Sequence, residues 1–229
     1  MNYELMIETF PKLLGGLTIT LQLVTISLFV GFCLAIGMAL LRLSNNLLLN
    51  FIAKTYIFYF RGTPLLVQIF LIYYGIAQFE FIRESFLWSF FKDAYWCGIL
   101  ALTLNTCAYG AEIIRGGIQS VSFGQIEAAR SVGMSKFLLY RRIILPIAFR
   151  QALPAYGNEM ILMVKATSLV STITIMDITG IARLVIAKTF SPVEIFIMAG
   201  LIYLTINFII TRLVSFTETR FTPYLQHAR

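Results

Sequence analysis

The chain alternates long apolar runs with short charged intervals. A helix that crosses a bilayer needs about 20 mainly apolar residues, and five runs reach that length. They cover residues 13–41, between Lys12 and Arg42; 56–79, with Arg61 near the start; 95–114; 152–175, which holds Glu159 and Lys165; and 194–213. No repeat recurs at a fixed period, and no low-complexity linker divides the chain. The pattern predicts an all-α integral membrane protein, with one five-span domain over residues 1–229.

The interval between the third and fourth runs, 115–150, is the longest, yet it does not read as a loop. Ser122 with Gln125 fits a capping box. Residues 125–132 lack Gly and Pro and predict a short helix. Gly133 suits the left-handed position just past a helix end. Ser135 can cap a second helix over 136–145, whose apolar face carries Phe137, Tyr140 and Ile144. Pro146 marks the turn into the fourth span or its first helical position.

Composition agrees with the membrane assignment: 59% of the residues are hydrophobic and 13% charged, with a mean hydropathy of +0.82. Soluble domains average about 45–50% apolar and about 25% charged. The formal charge of +7 is not gathered into a basic patch interleaved with aromatics, which sets nucleic-acid binding aside. Segments 42–61, 115–150 and 212–229 hold twelve Lys and Arg, against five in 1–12, 80–94 and 176–193. The more basic set belongs in the cytoplasm, so the N-terminus is expected outside and the C-terminus inside. Cys33, Cys97 and Cys107 lie in or beside apolar runs and read as small hydrophobes. The opening MNYELMIETFPK has two acids before its first base, unlike a cleaved signal. His227 is the single histidine. No His, Cys or carboxylate cluster has metal-ligand spacing, and no Ser, His and Asp set suggests hydrolysis.

Residues 127–146 read EAARSVGMSKFLLYRRIILP. Glu127, Ala128, Ala129, Gly133, Ile143, Leu145 and Pro146 fit E-A-A, three residues, Gly, nine residues, Ile, one residue, Leu-Pro. This resembles the signature of the permease subunits of bacterial ABC importers. FRGTPLLVQ (60–68), LTLNTCAYGAEIIRGGIQSV (102–121) and ALPAYGNEMILMVKATSLVS (152–171) are similar to the polar amino acid branch, most of all to permeases for histidine, lysine, arginine and ornithine and for opines. The resemblance covers nearly the whole chain. It implies a type I importer fold in the bacterial inner membrane, and a homo- or heterodimer of permeases. It also implies two cytoplasmic ATPase subunits that bind ATP and Mg, and a periplasmic substrate-binding protein. In that family the short helix at 127–133 couples the spans to the ATPase.

The residues support part of this on their own. The chain has no G-x-x-x-x-G-K-[ST] phosphate loop, so it is not itself the ATPase. A partner must drive it, or an ion gradient must. Glu127 sits in a first helical turn, where the dipole favours an acid, and Ala128 and Ala129 are small enough to let the helix sit in a groove. An ordinary amphipathic surface helix is the alternative. Charges inside spans are functional candidates by default. Glu159 and Lys165 are six residues apart and point about 120° away from each other, so each needs its own partner. A cationic amino acid would engage Glu159 by its side chain and Lys165 by its carboxylate; backbone bonding and snorkelling are the structural alternatives. Asn105, Tyr109 and Glu112 share one face of the third span. Glu112 fits an interhelical seam, whereas Asn105 and Tyr109 are candidate substrate contacts. Thr63-Pro64 breaks the second span, and Gln68, one turn later, is a candidate substrate contact, since broken helices in transporters can expose backbone groups to a substrate; a plain kink is the alternative. Arg115, Arg141, Arg142 and Arg150 read as anchors at the inner membrane face. An amino acid importer subunit is the leading expectation, and a stand-alone secondary transporter or channel the alternative.

Overall fold

The computed structural model describes residues 3–221, and among them every regular element is helical. His227 lies outside the described residues. The chain opens with α1 (Tyr3–Gly15) and α2 (Leu17–Arg42). Together they form one apolar helix, Glu4–Arg42, longer than the run over 13–41 predicted. The charges at Glu8 and Lys12 mark where the apolar run ends, but the exposed helix continues past them.

The second run folds differently from a single span. α3 (Leu47–Gly62) begins well before residue 56, because Asn46 caps it: its Oδ1 accepts from the amides of Leu48 (2.9 Å) and Leu49 (3.4 Å). Thr63 and Pro64 are extended, and α4 (Leu65–Phe70) departs at 106°. Pro64 has no amide hydrogen to donate, and its ring keeps Thr63 out of helical space. Beyond α4 the helix widens into a π turn at Leu71–Gly75 and tightens at Ile76–Gln78. Two short turns, α5 (Glu80–Arg83) and α6 (Trp88–Phe91), lead to α7 (Ala94–Gln119), capped by Asp93.

The interval 115–150 is helical almost throughout. α7 continues to Gln119, then α8 (Phe123–Ser131) and α9 (Lys136–Leu139) follow. Ser135 caps α9 as expected, accepting from Leu138 N at 3.3 Å. Ser122 occupies the cap position of α8, but its hydroxyl bonds nothing there, so the capping box does not form. The separate helix expected over 136–145 does not stop at Pro146. A π turn, Tyr140–Ile144, carries it into α10 (Leu145–Thr167), with the Leu145 amide reaching back to the Tyr140 carbonyl. The wider turn absorbs the clash and the missing donor that Pro146 would impose on a regular ladder. Helical structure then runs to Ile173 and ends at Thr174, which is left-handed at φ 69°. α11 (Ile178–Thr189) occupies much of the interval 176–193, which the hydropathy pattern left as a connection. α12 (Pro192–Phe221) closes the described chain.

Among the described residues three helices are long and apolar enough to cross a membrane, and two bent pairs, α3 with α4 and α9–α10 with α11, raise the number to five if each pair is one span. α7 is the centre, packed against α2, α10, α3 and α4. Without a hydrophobic drive between helices in lipid, small residues set the close approaches. A Cβ on Gly31 of α2 would sit 2.8 Å from Thr106 on α7, and one on Gly157 of α10 would overlap Val214 on α12. The largest buried cluster joins Leu23, Ile69, Leu102, Met163, Ile173, Ile178 and Ile195 from most of these helices.

Candidate functional site

The break at Thr63–Pro64 leaves backbone carbonyls without helical partners, and two side chains supply donors. Gln68 Nε2 donates to Phe60 O (2.9 Å), Thr63 O (3.1 Å) and Thr63 Oγ1 (2.8 Å). Asn105 Nδ2 donates to Phe60 O (3.2 Å) and to Gln68 Oε1 (3.1 Å). Gln68 is 2% exposed. Two expected substrate contacts are therefore brought together, but their polar atoms are turned to the broken backbone. Such a buried network holds only when every member is paired.

One turn along α7, the stripe expected from spacing is present and faces α3. The Arg61 guanidinium lies 5.1 Å over the Tyr109 ring and 4.0 Å from the Glu112 carboxylate. Glu112 is more tightly held by Arg115: Nη2 is 2.6 Å from Oε2, and Nε donates to both oxygens at 3.0 Å. Arg115 also donates to Gln119. Glu112 thus belongs to a seam, as expected, and Arg115 is a partner in it rather than a bare anchor. Arg61, Tyr109 and Glu112, with Arg42, Lys54, Ile57, Phe58 and Gly62, line an open cleft of about 390 Å³. Arg42, Lys54 and Arg61 were passed over in the sequence because they sit at the margins of apolar runs, where basic residues are ordinary.

Glu159 is 6% exposed on α10, with no hydrogen bond or ion pair among the described residues. Burying a carboxylate without a direct partner is expensive, which singles this position out. Lys165 is exposed and does not approach Glu159, in keeping with their separation around the helix.

Asp177, which the sequence reading did not single out, is fully buried. Its Oδ1 accepts from Gly180 N (2.8 Å) and caps α11, while Oδ2 accepts from Tyr203 on α12 (2.9 Å). Gly16, at the α1–α2 junction, lies so close that a Cβ would be 2.6 Å from the Asp177 carbonyl carbon. An acid just before an apolar run was the available signal for this cap.

The α8–α9 corner has the expected form. Gly133 has φ +79°, Met134 N bonds Ala129 O at 3.1 Å, and Gly133 N bonds Arg130 O at 2.9 Å. These two bonds make the left-handed helix stop of a Schellman motif. Glu127 and Ala128 are exposed. Ala129, by contrast, is 5% exposed and packs inward on Val121, Leu139 and Ile144, since one residue turns the helix by about 100°. Phe123 (69% exposed) and Val132 (74%) leave apolar surface at the two ends of α8.

The family described as "Binding-protein-dependent transport system inner membrane component" matches residues 31–223. The nopaline transport system permease protein of Agrobacterium fabrum is 57% identical, covering 99% of this chain and 94% of that one. The octopine transport system permease protein of Rhizobium meliloti is 56% identical over 97% and 91%. The histidine/lysine/arginine/ornithine transport system permease protein of Escherichia coli K12 is 44% identical over 93% and 89%. Among solved structures, an amino acid ABC transporter with histidines aligns at a TM-score of 0.87 and 36% identity, over 96% of this chain and 99% of that one. An inward-facing methionine ABC transporter shares the fold, at a TM-score of 0.69 and 15% identity over 92% and 96%.

Proposed function

The chain belongs to the family of binding-protein-dependent transport system inner membrane components, and from that premise we propose that it forms half of the translocation path of an ATP-driven importer for cationic amino acids or opines. It has the all-helical type I ABC permease fold and is a transport subunit, with ATP hydrolysis performed by another chain. In the proposed arrangement residues 1–229 are one five-span domain of the bacterial inner membrane, N-terminus outside and C-terminus inside. It pairs with an identical or similar permease, binds two ATPase subunits at its α8 helices, and receives substrate from a periplasmic binding protein.

The observation that carries this is the connection from α8 to Glu159. α8 presents Glu127 and Ala128 on an exposed face, which would enter a groove of the ATPase. Ala129 fastens α8 to the helix behind it. Gly133 turns the chain into a helical run, Lys136–Ile173, that bears both Glu159 and Lys165. A push on α8 therefore acts on the helix that carries the buried acid. Glu159 would take the cationic side chain of the substrate and Lys165 its carboxylate. Tyr109 would line the route, while Gln68 and Asn105 hold the broken helix beside it. Differential contacts in two states are what convert such a movement into transport.

The test is uptake into proteoliposomes by the purified chain, alone and with its permease and ATPase partners and the binding protein. Uptake of arginine should need the ATPase and ATP. Gradient-driven uptake by the chain alone would overturn the proposal.

A further inference from the structure

The cleft beside Tyr109 carries a charge imbalance that the importer scheme leaves unused. Its volume of about 390 Å³ falls within the range of small-molecule sites, roughly 300–1,000 Å³. Three cations, Arg42, Lys54 and Arg61, face one acid, Glu112, and that acid is already held by Arg115 at 2.6 Å. Arg42 donates to Asn50 Oδ1 at 2.7 Å, a neutral partner. Lys54 has no hydrogen bond or ion pair among the described residues. Ile57, Phe58 and the Tyr109 ring complete the wall. Like charges gathered in a cleft with apolar walls repel one another, and their shared field favours an anion between them.

The same cleft adjoins the helix of Glu159: Tyr109 in its wall is followed by Gly110, whose Cβ would lie 3.8 Å from the Tyr156 ring on α10, about one turn before that buried acid. The two features differ in chemistry: a buried carboxyl on α10 and a basic cleft between α3 and α7. An ordinary cationic amino acid offers one carboxylate. An opine such as octopine is arginine with a second carboxylate, carried by a substituent on the α-nitrogen, and so presents one cationic side chain and two anionic groups.

Resting on the importer reading above, we propose that the Arg42–Lys54–Arg61 cleft is a carboxylate subsite on the transport path, which selects N-carboxyalkyl amino acids over their parent amino acids. Lys54 is the specificity-determining cation, since Arg42 and Arg61 also serve Asn50 and Tyr109. A lipid phosphate carries the same charge as a carboxylate, so vesicle composition separates the two sources.

The experiment uses the complete importer with its ATPase and binding protein. ATP-driven uptake of octopine and of arginine is measured for the wild type, Lys54→Gln and Lys54→Arg. Vesicles are made of phosphatidylcholine alone or mixed with phosphatidylglycerol. Lys54→Gln should lower octopine uptake by about tenfold more than arginine uptake, the loss of roughly one charge-assisted contact, in both kinds of vesicle. Lys54→Arg should restore most of it. Equal losses on both substrates, no loss, or a loss confined to vesicles with phosphatidylglycerol would overturn the subsite. So would wild-type uptake of arginine without octopine, which leaves the importer reading standing. Arginine uptake independent of ATP would instead sink the importer reading itself.

Discussion

Replacing Gly133 isolates the corner that joins α8 to the rest of the chain. Gly133 has φ +79°, and a Cβ added there meets nothing within 4 Å. The penalty of a side chain is therefore conformational alone, with no clash to confuse it. An L-residue held in the left-handed region costs about 1–2 kcal/mol, and a β-branched residue is a genuine outlier there. A penalty of that size reduces the closed corner relative to open forms by about 5–30-fold. The bonds from Met134 N and Gly133 N to Ala129 O and Arg130 O are lost together when it opens. Asn visits this region more readily than Ala or Val, so activity should fall in the order Gly, Asn, Ala, Val. The assay is ATP-dependent arginine uptake by the full complex, alongside its ATP hydrolysis. Gly133→Val should keep hydrolysis while uptake falls by roughly tenfold or more. Gly116→Ala is the control: that glycine is helical with open space at its Cβ, and the change should be neutral or stabilising by about 0.5–1 kcal/mol. Full uptake with Val, or equal losses with Asn and Val, would refute the account of the corner.

Glu159→Gln keeps shape and removes charge; ATP-dependent uptake of arginine should fall at least about tenfold, about 1.4 kcal/mol, with assembly intact by size-exclusion chromatography, and unchanged uptake would make Glu159 structural. Gln68→Leu strips donors from the Phe60 and Thr63 carbonyls and should destabilise the helix break by about 1–3 kcal/mol, read as a lower Tm of the complex in detergent; an unaltered Tm would mean that the break stands without them. Gly157→Ala forces α10 against Val214 and should cost about 1–3 kcal/mol as overpacking. Val214→Ala on that background should recover most of the lost Tm, and failure to do so would place the strain elsewhere.

The helix stop at Gly133 and the cap at Ser135 were legible because each depends on chemistry within a few residues. A glycine in left-handed space and a serine hydroxyl on a nearby amide need no distant partner. The break at Thr63–Pro64 was legible for the same reason, but the 106° it produces was not: local chemistry says that a ladder stops, and only tertiary packing says where the next limb goes. Helix ends beyond residues 13 and 56 were hidden because hydropathy reports the apolar run, whereas Asn46 and the exposed turns of α1 decide how far the helix itself extends. Gln68 and Asn105 show a different limit. Their placement on spans was visible, yet a polar side chain in a span looks alike whether it awaits a substrate or repairs the backbone. The distinction rests on Phe60 and Thr63, whose carbonyls lie in another helix from Asn105. Asp177 was missed because its second partner, Tyr203, is 26 residues away.

The placement of Ala129 and of the π turn bears on how a push on α8 would travel. Ala129, Leu139, Ile144 and Val121 form one small buried cluster. It ties α8, α9 and the π turn to the segment that leaves α7, so these pieces move together. Close-packed clusters of this kind shift between discrete arrangements rather than deforming gradually. From Pro146 the helix runs, with Pro154 inside it, up to the tight turn at Ser168, and Glu159 lies thirteen residues past Pro146, about 20 Å at 1.5 Å per residue. Gly157 seats that stretch against Val214 two residues before the acid. A displacement of the α8 cluster therefore reaches Glu159 along a helix closely seated twice, on α7 at Gly117, whose Cβ would lie 2.6 Å from Ala148 O, and on α12 at Gly157, and the α12 contact, nearer the acid, makes the pivot. Strain introduced at Gly157 should consequently impair uptake as well as stability. If Gly157→Ala lowers Tm yet leaves ATP-dependent uptake at its wild-type rate, the pivot lies elsewhere and the helix carries the push by some other contact.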